Sequence, residues 1–206
     1  LEFSVLVARG ADGQLAVYPP ARNHHAAGVL TWSVTPAPLE PPVAREGADV
    51  ALGIAEALEI VGLVAVELFL TTDGRVLVNE LAPRPHNSYH ASERSNATSQ
   101  FEQLVRAACA LPLGSPAPVG AGAIANLLGG LWLAEQSPNV VSALAVPTAR
   151  LHLYGKREAR PGRKMGHLSA VGATPEEALA RVQEAYDAFR PAGTEAIPRS
   201  ALRAAP

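Results

Sequence analysis

Apolar residues fall in short blocks along most of the chain, and each block ends near a glycine, proline or aspartate. Residues 3–9 (Phe-Ser-Val-Leu-Val-Ala-Arg) read as a strand, Ala11-Asp12-Gly13 as a turn, and residues 15–18 as the hairpin partner. Residues 29–34 predict a third strand, followed by a loop stiffened by Pro36, Pro38, Pro41 and Pro42. From Val43 to Ile60 the spacing becomes helical, with Ala, Leu and Ile on one side and Glu46, Asp49, Glu56 and Glu59 interspersed. Two apolar runs, 62–70 and 75–81, flank Asp73-Gly74, and residues 99–110 predict an amphipathic helix with Cys109 on its apolar face.

Pro112, Gly114, Pro116 and Pro118 mark a boundary. Beyond it, short strands are predicted near 121–128, 149–153 and 166–171. Thr174, Pro175 and Glu177 form a capping box that opens a last helix. Ala178, Leu179, Val182, Ala185, Tyr186 and Phe189 make its apolar face, and the tail from Pro191 reads as loose. The expected class is α+β, with residues 1–114 forming one unit and 115–206 a smaller β-rich unit ending in a helix.

Composition narrows the function classes. With 48% hydrophobic residues in 206, the chain can build a core, yet no run approaches the ~20 apolar residues of a membrane span. A net charge of −2 gives no global case for nucleic acid or an anionic membrane. The single Cys109 excludes an internal disulfide and points to a reducing, cytoplasmic setting. The basic residues are 15 Arg and only two Lys, Lys156 and Lys164, a skew that fits GC-rich coding. The chain opens at Leu1 directly into a strand, so a segment of something longer is expected.

The most informative local geometry surrounds Asp73-Gly74. A two-residue type I′ turn there pairs Thr72 with Arg75 and, counting outward, Glu67 with Glu80. Their Cβ atoms then lie about 5 Å apart on one face. Two carboxylates inside apolar strands need a cation between them, or one must be protonated. Two oxygen ligands suit Mg²⁺; an exposed edge hairpin with both glutamates in water stays open as the other reading. Pro83-Arg84-Pro85-His86-Asn87-Ser88 leaves the same strand and presents a cation, an imidazole and an amide beside the pair. Residues 150–167 carry six cations and one anion, a local +5 that suits a phosphate. A solvated turn is the alternative; with Tyr154 as its one aromatic, the stretch argues against nucleic acid.

Two stretches carry a recognisable pattern: Leu77-Val-Asn-Glu-Leu-Ala-Pro-Arg-Pro-His-Asn-Ser88, and Leu151-His-Leu-Tyr-Gly-Lys-Arg-Glu-Ala-Arg-Pro-Gly-Arg-Lys-Met-Gly-His167. They closely resemble the N5-carboxyaminoimidazole ribonucleotide synthases, ATP-grasp ligases of purine biosynthesis. Ser4–Gly13, Tyr18-Pro19 with Asn23 and His25, Val66–Phe69, Ser99–Glu102 and Asn126–Leu128 extend the likeness colinearly. The resemblance implies the C-terminal part of an ATP-grasp core, an antiparallel sheet with flanking helices, and then a small β-rich domain. It implies ATP-dependent carboxylation of 5-aminoimidazole ribonucleotide by bicarbonate through carboxyphosphate, with ATP and Mg²⁺ required and a homodimer as the assembly.

By position, the resemblance implies Glu67, Glu80 and Asn87 as metal ligands, and Glu2, His25, Asn79 and Glu80 around the nucleotide. It implies Arg84 and His86 at bicarbonate or carboxyphosphate, and Lys156 and Arg163, with Arg84, at the aminoimidazole substrate. His152, His167 and Lys164 read as serving the fold, and Trp32 and Trp132 as core. The family pattern has Gly where this chain has Tyr89, which would strain the loop if φ there is positive. The family's N-terminal domain and most of its ATP lid have no counterpart here, so the segment alone is expected to be inactive. Formate-dependent glycinamide ribonucleotide transformylase, another ATP-grasp ligase, and a non-catalytic interaction module are the competing expectations.

Overall fold

The computed structural model describes residues 1–199. Its strands are β1 (Glu2–Arg9), β2 (Leu15–Val17), β3 (Ala21–Ala26), β4 (Val29–Thr35), β5 (Gly62–Leu70), β6 (Val76–Ala82), β7 (Ala121–Leu128), β8 (Arg150–Leu153) and β9 (Lys164–Gly172). Its helices are α1 (Pro41–Ala57), α2 (Ser92–Ser95), α3 (Gln100–Ala108), α4 (Val140–Leu144) and α5 (Pro175–Phe189). All nine strands join one antiparallel sheet in the order β6-β5-β1-β3-β4-β7-β9-β8, with β2 beside β1.

Strand alternation explains the layers. In β1, Phe3, Val5 and Val7 meet Val64, Val66 and Leu68 of β5 under Ala51 and Ala55 of α1. Gly47 lets α1 settle there, since a Cβ on it would lie 2.6 Å from the Phe3 ring. Leu6 and Ala8 face the other way and pack with Leu63, Ala65, Tyr18 and Tyr89. The predicted face of α5 is buried as expected, against Trp32, Val34, Ala123, Ala125 and Leu168 of β4, β7 and β9. Its N-cap forms, with the Thr174 hydroxyl accepting from Glu177 N at 3.2 Å, while Glu177 Oε2 accepts at 2.6 Å from Ala173 N, one residue before the cap, rather than from Thr174 N as a capping box would have it. The sheet passes unbroken across the proline-rich stretch near residue 114, because β4 pairs with β7 from Trp32↔Ala125 to Thr35↔Gly122.

Three expectations are corrected. His24 and His25, in a polar stretch that reads as loop, lie instead in β3, a polar strand that forms because β1 and β4 supply ladder partners on both sides. As far as residue 199 the tail packs on the core, with Ile197 in the core, Pro198 O accepting the Trp32 indole N–H at 3.1 Å and Arg199 pairing with Asp187 at 2.5 Å; the rest of the stretch read as loose, 200–206, lies outside the described residues. Cys109 is exposed rather than a core thiol, because it caps the end of α3, whose buried positions are Gln100, Gln103 and Ala107.

Candidate active site

The β5–β6 hairpin sets the site. Thr71 N donates to Arg75 O at 3.0 Å, so three residues, Thr72 to Gly74, form the turn rather than two, with Gly74 at φ 84°. Pairing near the turn is therefore one residue off the expected count: Leu70↔Val76, Phe69↔Leu77 and Leu68↔Val78. A β-bulge then gives β6 one extra residue, Asn79, and restores the pair Glu67↔Glu80. The expected partners meet through two departures that cancel. The bulge also explains why the adjacent residues Asn79 and Glu80 line the same cavity.

The two carboxylates are not equivalent, so neither a pair sharing one apolar environment nor an edge hairpin with both glutamates in water describes them. β6 is the sheet's edge strand and Glu80 is exposed, solvated at the cavity rim. The Glu67 side chain is only 14% exposed and has its own partner, His86 Nε2, at 3.0 Å from Oε1. That hydrogen bond holds the Glu67 carboxyl below its ordinary pKa, against the opposing effect of burial.

The loop carrying His86 is fastened from several strands. The His86 backbone N–H donates to Gln100 Oε1 at 2.8 Å, and Asn87 Nδ2 donates to Asn126 Oδ1 of β7 at 2.8 Å. Ser33 Oγ donates to Ser88 O at 3.2 Å. Tyr89 fits without strain: its φ is not positive, its ring is fully buried, and its hydroxyl lies 2.8 Å from Ser4 O and 3.0 Å from Pro19 O. The anticipated clash at this position does not arise, because the chain takes a short 3₁₀ turn at Asn87–Tyr89.

These elements enclose a cavity of about 580 Å³. Glu2 and His25 line one wall and are hydrogen-bonded through Oε2 and Nδ1. Glu67, Phe69, Asn79 and Glu80 line the hairpin side, and Arg84, His86 and Asn87 the loop side. Lys156, Gly162 and Lys164 enter from the basic segment. The cavity thus contains every predicted site residue except Arg163, whose Nη1 donates instead to Glu158 O at 3.0 Å. Lys164, read from the sequence as structural, takes its place in the wall. Burial depresses the Lys164 ammonium pKa, while Glu67 and Glu80 partly restore it. Phe69 was also missed, although its spacing of two from Glu67 puts it on the same face.

Among the described residues there is no cluster of three or more His, Cys, Asp or Glu suited to a metal. The donors present are two carboxylates and the Asn87 amide oxygen, which is buried and has no hydrogen-bond partner. Such an oxygen set fits Mg²⁺, which takes few protein ligands and completes its shell with phosphate oxygens and water. Glu67 Oε2 remains available because His86 engages Oε1.

Residues 1–101 match the ATP-grasp domain, and residues 122–181 match the phosphoribosylaminoimidazole carboxylase C-terminal domain. The chain is 45% identical over 170 residues to an N5-carboxyaminoimidazole ribonucleotide synthase of Bacillus subtilis, covering 82% of this chain and 43% of that one. It is 46% identical over 180 residues to the synthase of Mycobacterium bovis, covering 83% and 41%. A Thermus thermophilus N5-carboxyaminoimidazole ribonucleotide synthetase structure superposes with a TM-score of 0.79 at 41% identity, covering 88% of this chain and 49% of that one. An Aspergillus clavatus synthase, solved with ADP and 5-aminoimidazole ribonucleotide, gives 0.81 at 29% identity, covering 91% and 50%. The chain spans less than half the length of these curated relatives. With both domain types in order on one sheet, it belongs to the ATP-grasp family of N5-carboxyaminoimidazole ribonucleotide synthases.

Proposed function

We propose that this chain forms the metal, bicarbonate and amine side of an ATP-dependent carboxylase acting on 5-aminoimidazole ribonucleotide. The observation that carries the reading is the single cavity that gathers Glu2, His25, Glu67, Glu80, Arg84, His86 and Lys156 from distant parts of the chain. In the reaction, a bicarbonate oxygen attacks the γ-phosphorus of ATP, giving ADP and carboxyphosphate. The exocyclic amine then takes the carboxyl carbon, the C–O bond to phosphate breaks, and the amine loses a proton.

Arg84 holds the anionic bicarbonate and stabilises charge as carboxyphosphate forms. His86, its Nε2 held by Glu67 at 3.0 Å, forms a fixed wall of the cavity beside the same anion. Lys156, whose Nζ donates to Lys164 O at 2.6 Å, binds the phosphate of the ribonucleotide as a point charge, with Arg163 more remote. His25, locked to Glu2, and the bulged Asn79 contact ATP. Glu67, Glu80 and Asn87 would hold Mg²⁺, which when bound neutralises phosphate charge during transfer. A domain boundary in the chain near residue 114, read from its proline- and glycine-rich run, a cytoplasmic setting and no nucleic-acid partner, read from composition and charge, and a homodimer, implied by the family resemblance, belong to the same proposal.

The test is phosphate release from ATP by the longest open reading frame containing this chain. Stimulation by 5-aminoimidazole ribonucleotide with bicarbonate supports the proposal. Stimulation only by glycinamide ribonucleotide with formate would replace it with the transformylase reading. No stimulation by either would leave an interaction module.

A further inference from the structure

The His86 backbone lies in a difficult place. It follows Pro85, outside any strand or helix, and its residue is only 6% exposed. Buried backbone groups of this kind need partners, and the sheet offers His86 none. One side chain meets the need. Gln100 Oε1 accepts from His86 N–H at 2.8 Å, and Gln100 Nε2 donates to His86 O at 3.0 Å. The same Nε2 lies 3.0 Å from His90 Nδ1, four residues further along the loop. Tyr89 N–H also reaches His86 O, at 3.0 Å.

Gln100 is itself fixed. It is fully buried at the first position of α3, with Ser99 as the cap and its own N–H donating to Ser92 Oγ at 3.0 Å. An amide is the one neutral side chain that offers an acceptor and a two-proton donor from one plane. The bidentate grip fixes the position and rotation of the His86 peptide, and so the point from which its imidazole meets Glu67.

We propose that Gln100 is a positioning residue for the proposed carboxylation, acting through the His86 backbone to hold the His86 ring against Glu67 and toward the bicarbonate. The inference deepens the function proposed above and rests on it for its kinetic part. Gln100→Met keeps length and flexibility and removes every hydrogen bond. In a crystal structure of the Gln100→Met chain, the His86 Nε2–Glu67 Oε1 separation should open beyond hydrogen-bond range; a separation still at 3.0 Å would overturn the proposal.

In the longest open reading frame, kcat for aminoimidazole-dependent turnover should fall on the order of 100-fold, as expected for misplaced catalytic groups, with KM for ATP little changed. In a His86→Ala background the same substitution should cost nothing further. An equal loss in both backgrounds would show that Gln100 merely supports the fold and would also overturn the proposal. Gln100→Glu, which keeps the acceptor and loses the amide donors, carries the same readouts if the methionine variant does not fold. If the unmutated protein shows no such turnover, the proposed reaction fails, while the separation measured in the chain still decides the role of Gln100.

Discussion

His167→Phe should flatten the acid dependence of this chain's stability. His167 is 5% exposed and sits in a stack of imidazoles, 4.5 Å from His152 and 4.7 Å from His90 between ring centres. Its Nδ1 bonds the Tyr154 hydroxyl at 2.9 Å, and its buried Nε2 has no partner. Burial, reinforced by the neighbouring imidazoles, pushes its pKa down from 6.5 to about 3. Above pH 6.5 the imidazole is neutral in both folded and unfolded chains and costs nothing. As pH falls below that value the unfolded chain takes up a proton that the folded chain refuses, so stability is lost until the pH reaches the folded-state pKa. Between about pH 7 and pH 4.5 this one group removes about 2.5 kcal/mol, at ~1.4 kcal/mol per pH unit below the unfolded pKa. Phenylalanine keeps the stacked ring and loses only the hydrogen bond to Tyr154, about 1 kcal/mol at neutral pH. Urea unfolding at the two pH values, on both proteins, measures the difference. The variant should start slightly less stable and become the more stable of the two in acid. Parallel pH curves would refute a neutral, buried His167.

Glu80→Gln should weaken Mn²⁺ binding, read by electron paramagnetic resonance in the presence of ADP, while the melting curve stays unchanged because Glu80 is exposed; unaltered affinity would remove it from the metal set. Lys156→Ala should raise KM for the aminoimidazole nucleotide about tenfold or more, and Arg163→Ala less, because only Lys156 lines the cavity; the reverse order would contradict the assignment. Tyr89→Phe should cost about 1–2 kcal/mol in chemical denaturation, since its hydroxyl is the partner of two carbonyls; no loss would mean that the bonds to Ser4 and Pro19 contribute nothing.

Much of this architecture is legible before any coordinates. The Thr174 cap and the apolar spacing of α5 carry local, near-neighbour information, and both appear as read, with the Glu177 carboxylate displaced by one residue to Ala173 N. β3 was not legible, because a strand of sequence Ala-Arg-Asn-His-His-Ala is stabilised by its neighbours rather than by its own apolar pattern. The Glu67–Glu80 pair follows from a two-residue turn that the chain does not form, and the Asn79 bulge restores the same register. A bulge has no single-residue signature, so the shared face of Asn79 and Glu80 could not have been derived. Lys164 lies outside the strand expected near 166–171; β9 begins at Lys164, and its pairing with β7 shifts between Leu127↔Gly166 and Leu128↔Lys164. The grip of Gln100 on His86 spans 14 residues and two elements, a contact that only the folded chain reveals.

The central claim is that this cavity activates bicarbonate with ATP and passes the carboxyl group to an amine. Its most direct test follows oxygen. The longest open reading frame containing this chain would be supplied with ¹⁸O-labelled bicarbonate, ATP and 5-aminoimidazole ribonucleotide, and the released phosphate examined by ³¹P NMR. If a bicarbonate oxygen attacks the γ-phosphorus and leaves with it when the C–O bond breaks, each phosphate carries one labelled oxygen. Phosphate released without label, at a rate matching product formation, would contradict the account.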